Sequence, residues 1–196
     1  MRRDSSNRLI YRLQQALEAG QKERITANVG FVQASVMLIL REEKDTQLLF
    51  IKRSENANDP FSGHMAFPGG KMKEGDGDKL ETAYRETLEE VGIDLKKNGR
   101  VMGELDDIKP NNPKARHLIV TPFICKLINS SELRPNGEVS EAIWIKLSNF
   151  SCGKNTEVKE KDNLITERVY KYKDYVIWGM TAKILYNLLT LTGLDN

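Results

Sequence analysis

The chain has 196 residues, 39% of them hydrophobic and 30% charged, with a formal net charge of +2, which bounds it to one soluble globular domain with a real core and room for a terminal extension. A charge balance this even does not call for a nucleic-acid partner, although local lysines can still meet a nucleotide, and no run of about eighteen apolar residues offers a membrane span. The opening MRRDSSNRLIYRLQ lacks an apolar segment of signal-peptide length, the last residues Leu194, Asp195 and Asn196 are no peroxisomal tripeptide, and the two cysteines, Cys125 and Cys152, form neither a disulfide framework nor a zinc-ligand spacing, so a cytoplasmic location is expected.

Between residues 6 and 19 the apolar positions Leu9, Ile10, Leu13 and Leu17 recur at helical spacing, with Ser5 or Ser6 able to cap the start and Gly20 able to end it. This predicts an amphipathic helix placed ahead of the main fold, and residues 1–26 are read as an N-terminal helical extension to a domain over 27–196. Residues 32–40 and 48–51, rich in β-branched and aliphatic side chains around a polar stretch at 42–45, predict a hairpin. The irregular segment between Arg53 and Phe67 reads as a loop of the kind that often holds substrate.

Asp78 or its neighbours can cap the next helix, on which Leu80, Tyr84, Leu88 and Val91 make an apolar stripe, and Gly92 ends it. Strand-like runs follow near 101–105, 118–127 and 142–147, separated by turns containing Pro110, Pro113, Pro135 and Gly137. Residues 169–177 suggest a second hairpin, and Ile184, Leu185, Leu188 and Leu189 a helix over 180–191. Strands surrounding two or three helices without regular βαβ alternation argue for an α+β fold.

Chemistry concentrates on the middle helix. Glu86, Glu89 and Glu90 stand three and four residues apart, which puts all three carboxylates on one helical face. Like charges at that spacing cost a few tenths of a kcal/mol per pair, and a hard divalent cation would offset the repulsion. Just before the helix, Gly69 and Gly70 follow Pro68 and permit a close backbone approach that a side chain would forbid.

Residues 69–93 read GGKMKEGDGDKLETAYRETLEEVGI, and through Arg85, Glu86, Glu89, Glu90 and Gly92 they match Arg-Glu-x-x-Glu-Glu-x-Gly. This resembles the Nudix hydrolase family. The general pattern has one residue fewer before its Arg-Glu pair and a glutamate where this chain offers Asp76 or Asp78. That longer loop and the lead-in DPFSGHMAFPGG from Asp59 resemble the coenzyme A pyrophosphatase branch, although the Arg-x-His-x-Gly part of its signature is not reproduced.

The resemblance implies a Nudix α/β/α sandwich with a mixed β-sheet between helices. It also implies one or more Mg²⁺ or Mn²⁺ ions held by Glu86, Glu89 and Glu90, with a backbone carbonyl of Gly70 as a further contact. Arg85 is expected to complete the catalytic set by pairing with a glutamate in a bidentate geometry that lysine lacks. Glu138 is carried as a further metal ligand or proton acceptor, with Glu141 in competition. Lys52 and Arg53 end a strand and can meet substrate phosphates, but neighbours on a strand point to opposite faces, so only one should do so. Phe61 is assigned to substrate, and His64 and His117 to hydrogen-bonded structural roles. Ile177, Trp178, Gly179 and Thr181 also resemble the branch, or form a buried strand-to-helix corner.

The resemblance implies a pyrophosphohydrolase acting on the diphosphate linkage of a nucleoside diphosphate derivative, with coenzyme A or acyl-coenzyme A first. ADP-ribose, dinucleotides and nucleotide sugars are the alternatives within the same chemistry. A non-catalytic nucleotide-sensing module is the alternative of another class, and loss of the box carboxylates would favour it. An isopentenyl diphosphate isomerase shares the fold but needs a suitably placed cysteine. The expected partner is a small molecule, with no membrane, and a homodimer is compatible with the sequence.

Overall fold

The computed structural model describes residues 3–26, 29–57, 59, 61–111, 115–150, 154–160 and 163–195. Strand β1 (Val32–Glu42) is the axis of a seven-stranded sheet. On one side it runs parallel to β6 (Leu118–Leu127), in register from Val32 opposite Leu118 to Leu40 opposite Lys126. Its other side is divided between two antiparallel partners: β2 (Thr46–Arg53) pairs near Leu40 and β4 (Gly69–Lys71) near Val36. The expected hairpin is β1–β2. Outside β2 lie β3 (Met65–Ala66) and β7 (Val139–Lys146), and β5 (Gly99–Glu104) pairs with β6 at the far edge. A second sheet has the order β10 (Tyr175–Ile177), β9 (Asn163–Tyr172), β8 (Lys154–Glu160).

Four consecutive residues of β1, Met37 to Leu40, are fully buried, and the strand period sends them alternately to two cores. Leu38 and Leu40, with Leu48 and Phe50 of β2, face a core closed by α1 (Arg3–Ala19) and α4 (Gly179–Thr192). Met37 and Ile39, with Leu49 and Ile51, face α2 (Lys79–Val91) and Leu95 of the short α3 (Leu95–Asn98). A mixed sheet between helices, in an α+β chain, follows from that two-sided burial.

The first helix begins earlier than the spacing predicted, so Ser5 and Ser6 lie within it rather than capping it. Ile10, Leu13 and Leu17 belong to the same core as Leu185, Leu188 and Leu189 of α4. The chain after α1 is fastened to the segment after β5: Ile25 N–H donates to Asp107 Oδ2 at 3.0 Å, and the Asp107 amide donates to the Glu23 carbonyl at 3.0 Å.

Helix α2 departs from the expected stripe. Val91 is buried and Leu80 and Tyr84 are partly so, but Leu88 is 51% exposed. The buried face consists of Thr82, Ala83, Glu86, Thr87, Glu90 and Val91. Burying a hydroxyl requires a partner, and Thr87 Oγ1 donates to the Ala83 carbonyl at 2.7 Å. With the carboxylates turned inward, Leu88 is rotated outward. Pro113 and Cys152, named from the sequence, lie outside the described residues.

Candidate active site

Helix α2 is fixed at both ends by its own sequence. Asp78 caps it, accepting the Glu81 amide at 2.8 Å, and Gly92 stops it in the left-handed region at φ 75°. The carboxylates of Glu86 and Glu90, one turn apart, are thereby aimed at the turn entering β4. Gly69 sits there at φ 157°, and a Cβ would lie 2.2 Å from the Ser35 carbonyl oxygen. The absence of a side chain lets its N–H reach Glu90 Oε2 at 2.9 Å. At Gly70 a Cβ would lie 2.6 Å from Glu86 Cδ, so this backbone is pressed against the carboxylate.

Glu86 is 8% and Glu90 2% exposed, whereas Glu89 stands at the rim. Burial, reinforced by the neighbouring Glu86 charge, pushes the Glu90 carboxyl up to about 7, with the Gly69 amide and Arg53 opposing. Arg85 holds the array in shape. Its Nη1 donates to Glu86 Oε1 at 2.6 Å and to Glu89 Oε2 at 3.3 Å. Its fork closes on Asp76, from Nε at 2.8 Å and Nη2 at 2.9 Å. The bidentate partner of Arg85 is therefore the loop aspartate and not a glutamate of the helix. Asp76 also accepts from the Lys73 amide and Thr82 Oγ1, each at 2.9 Å, and these bonds hold its carboxyl far below the usual range.

Among the described residues no three His, Cys, Asp or Glu side chains are gathered tightly enough to hold an ion as they stand. Cationic groups reach into that place instead: Arg85, and Lys73 Nζ at 3.6 Å from Glu89 and 3.9 Å from Glu86. The donor set still fits a hard divalent ion, because all its side chains offer oxygen and the Gly70 backbone, with no Cβ, abuts the Glu86 carboxylate.

These groups line a cavity of about 520 Å³ together with Arg53, Phe61 and Glu138. Arg53 Nε is 2.7 Å from Asp59 Oδ2, and its Nη1 is 3.9 Å from Glu90. Asp59 also accepts the Phe61 amide at 3.0 Å, so one carboxylate ties the arginine to the loop. Lys52, the other candidate for phosphate, does not line the cavity, as the strand period requires of a neighbour. Glu138 lines it, while Glu141 accepts a hydrogen bond from the Tyr175 hydroxyl elsewhere. Cys125 is buried in the α2 core, where burial pushes its thiol up to about 12, so it supplies no nucleophile.

The two histidines expected to be structural, and the tryptophan of the strand-to-helix corner, stand in the wall of the cavity. His64 and His117 both line the cavity, and the His64 ring packs on Trp178 with centroids 4.7 Å apart. Burial draws the His64 pKa below its ordinary value. Trp178 is the corner between β10 and α4 and opens onto the cavity. The only signal for it was the Ile-Trp-Gly triplet, more than eighty residues from the carboxylates.

The NUDIX domain family model matches residues 32–168, which include β1, the glycine turn and α2. The chain belongs to the Nudix family. It is similar to mitochondrial Nudix hydrolase 15 of Arabidopsis thaliana, 31% identical over 172 residues that cover 81% of this chain and 58% of that protein. It is also similar to a mitochondrial coenzyme A diphosphatase of Mus musculus, 31% identical over 144 residues, or 70% of this chain and 66% of that one. The Nudix chain thus spans about half the length of some curated relatives, 58% for the Arabidopsis protein and 45% for an uncharacterized protein of Schizosaccharomyces pombe. A solved MutT/nudix family protein from Enterococcus faecalis shares the fold at TM-score 0.54 and 16% identity, over 93% of this chain and 69% of that one. Among the described residues no helix of this Nudix protein is long and apolar enough to cross a membrane.

Proposed function

We propose that this Nudix chain is a divalent-metal-dependent pyrophosphohydrolase that cleaves the diphosphate linkage of a nucleoside diphosphate derivative, with coenzyme A or acyl-coenzyme A the first candidate. The observation that carries the reading is a pair of buried carboxylates, Glu86 and Glu90, facing a glycine turn in a cavity that also presents Arg53. Mono-anionic side chains buried side by side are costly unless a counter-charge joins them. Glu86, Glu89, Glu90 and the Gly70 carbonyl would hold Mg²⁺ or Mn²⁺. When bound, such an ion shields phosphate charge and makes water more acidic.

The chain's own groups divide the remaining work. Arg53 meets a phosphate oxygen, for which its guanidinium is suited. Arg85 is a positioning residue that fixes the Glu86 carboxylate from its anchor on Asp76. Glu138, on the loop before β7, accepts the proton of the attacking water. Phe61 contacts the appended group. The partner is a small molecule and not nucleic acid. A division into an extension at 1–26 and a Nudix domain at 27–196 belongs to the same reading, as does a cytoplasmic setting.

A substrate panel tests it: coenzyme A, acyl-coenzyme A, ADP-ribose, NADH, diadenosine polyphosphates and nucleotide sugars, each with Mg²⁺ or Mn²⁺ and with product identification. Coenzyme A should yield 4′-phosphopantetheine and adenosine 3′,5′-bisphosphate. Turnover of ADP-ribose or a nucleotide sugar alone would move the substrate, and hydrolysis of none would overturn the activity.

A further inference from the structure

Beside the catalytic cavity lies a smaller hollow of about 200 Å³ whose wall carries Lys109, Arg168 and Lys183. The three cations come from separate parts of the chain: the segment between β5 and β6, strand β9 and helix α4. Among the described residues no carboxylate lines the hollow and none of the three is in an ion pair. Two are held in place by aromatic faces. The Arg168 guanidinium carbon is 3.7 Å from the centre of the Tyr186 ring, and Lys109 Nζ is 4.2 Å from that of Phe31.

Three like charges around one small hollow repel one another, and an anion placed among them removes that cost. This inverts the situation across the wall, where carboxylates crowd and a cation is wanted. The two hollows are not separate, because Asn111, Gly179 and Met180 line both. A molecule with its diphosphate at the carboxylates can therefore extend another group past Gly179 and Met180 to the cations. A neutral ribose would gain little from that environment. A phosphate monoester would gain charge-assisted hydrogen bonds.

We propose that this hollow binds a phosphate monoester carried on the ribose of the substrate, in addition to the diphosphate that is cleaved. The preferred class is then a ribose-phosphorylated nucleoside diphosphate derivative. The inference rests on the pyrophosphohydrolase reading of the cavity and narrows its substrate.

The test is a calorimetric titration of AMP, adenosine 3′,5′-bisphosphate and adenosine 2′,5′-bisphosphate into the full chain with Mg²⁺. In the unaltered protein one bisphosphate should bind at least ~10-fold more tightly than AMP, as one extra charge-assisted contact implies. In the Lys109→Ala, Lys183→Ala double variant that ratio should fall to within about twofold, and Lys183→Arg alone should keep it. Equal binding of AMP and both bisphosphates by the unaltered protein would overturn the proposal. So would a ratio that survives in the double variant, or a loss shared equally by all three ligands. Because binding needs no turnover, failure of the hydrolase reading would show in the substrate panel, independently of this ratio.

Discussion

Glu90 is where burial and charge conflict most sharply. Its folded pKa of about 7 stands above the ordinary 4.5, so the proton is bound more tightly in the native state than in the unfolded one. The stabilising contribution is fully present below about 4.5 and is lost as pH rises through about 7. In chelator, the wild-type protein should therefore lose melting temperature relative to Glu90→Gln between pH 5 and pH 8. Added Mg²⁺ should raise the wild-type Tm at pH 8 and leave the variant nearly unmoved. A parallel pH dependence of the two proteins would mean that this carboxyl is not the group responsible. In turnover, Glu86→Gln and Glu90→Gln should each lower kcat by ~100-fold or more with the fold retained. Near-normal kcat at saturating metal would remove both from the mechanism. Arg85→Lys keeps a charge but not the fork to Asp76, so kcat should drop by roughly tenfold or more with KM little changed, as expected of a residue that acts through another.

At the scale of elements, legibility followed the reach of each signal. The α2 helix was readable because Asp78, Gly92 and the glutamate spacing all lie within fifteen residues of one another, and β1 and β2 because their apolar runs flank a polar turn. The orientation of α2 was not. Apolarity alone chose Leu80, Tyr84, Leu88 and Val91, whereas the glycine turn on β4 drew Glu86 and Glu90 inward and put Leu88 outside. Strand β4, three residues long and opened by two glycines, carries no periodicity to read, yet it positions the site. Gly69→Ala should be among the most destabilising single changes, by ~3 kcal/mol or more, because its Cβ would strike backbone and not a yielding side-chain end. Chemical denaturation measures it directly. The loop from Asp59 is tied to Arg53, and there Phe61→Ala should alter the ratio of kcat/KM for coenzyme A over ADP-ribose. An equal fall for both would make the loop a mere support for the turn.

For the whole molecule, the site was legible as a helix and hidden as a cavity. The α2 carboxylates and the glycine turn sit within one short stretch of sequence, but Trp178 is brought to them by the β10–α4 corner, His117 by the pairing of β6 with β1, and the cationic hollow by the meeting of the β5–β6 segment, β9 and α4. Fold class followed from the order of elements, whereas the joining of α1 to the main core did not, since an amphipathic helix does not reveal what covers its stripe. That joining has a consequence for how the chain assembles. Ile10, Leu13 and Leu17 are made long before Leu185, Leu188 and Leu189, which share their core. During synthesis the stripe of α1 can meet β5 near Gly103, but the part of it that packs on α4 has no native surface until α4 has left the ribosome. Closing so long a loop is entropically slow, so the nascent chain carries a partly uncovered sticky face while the residues between α1 and α4 are made, and the interval before α4 emerges is its window of exposure to chaperones and to aggregation.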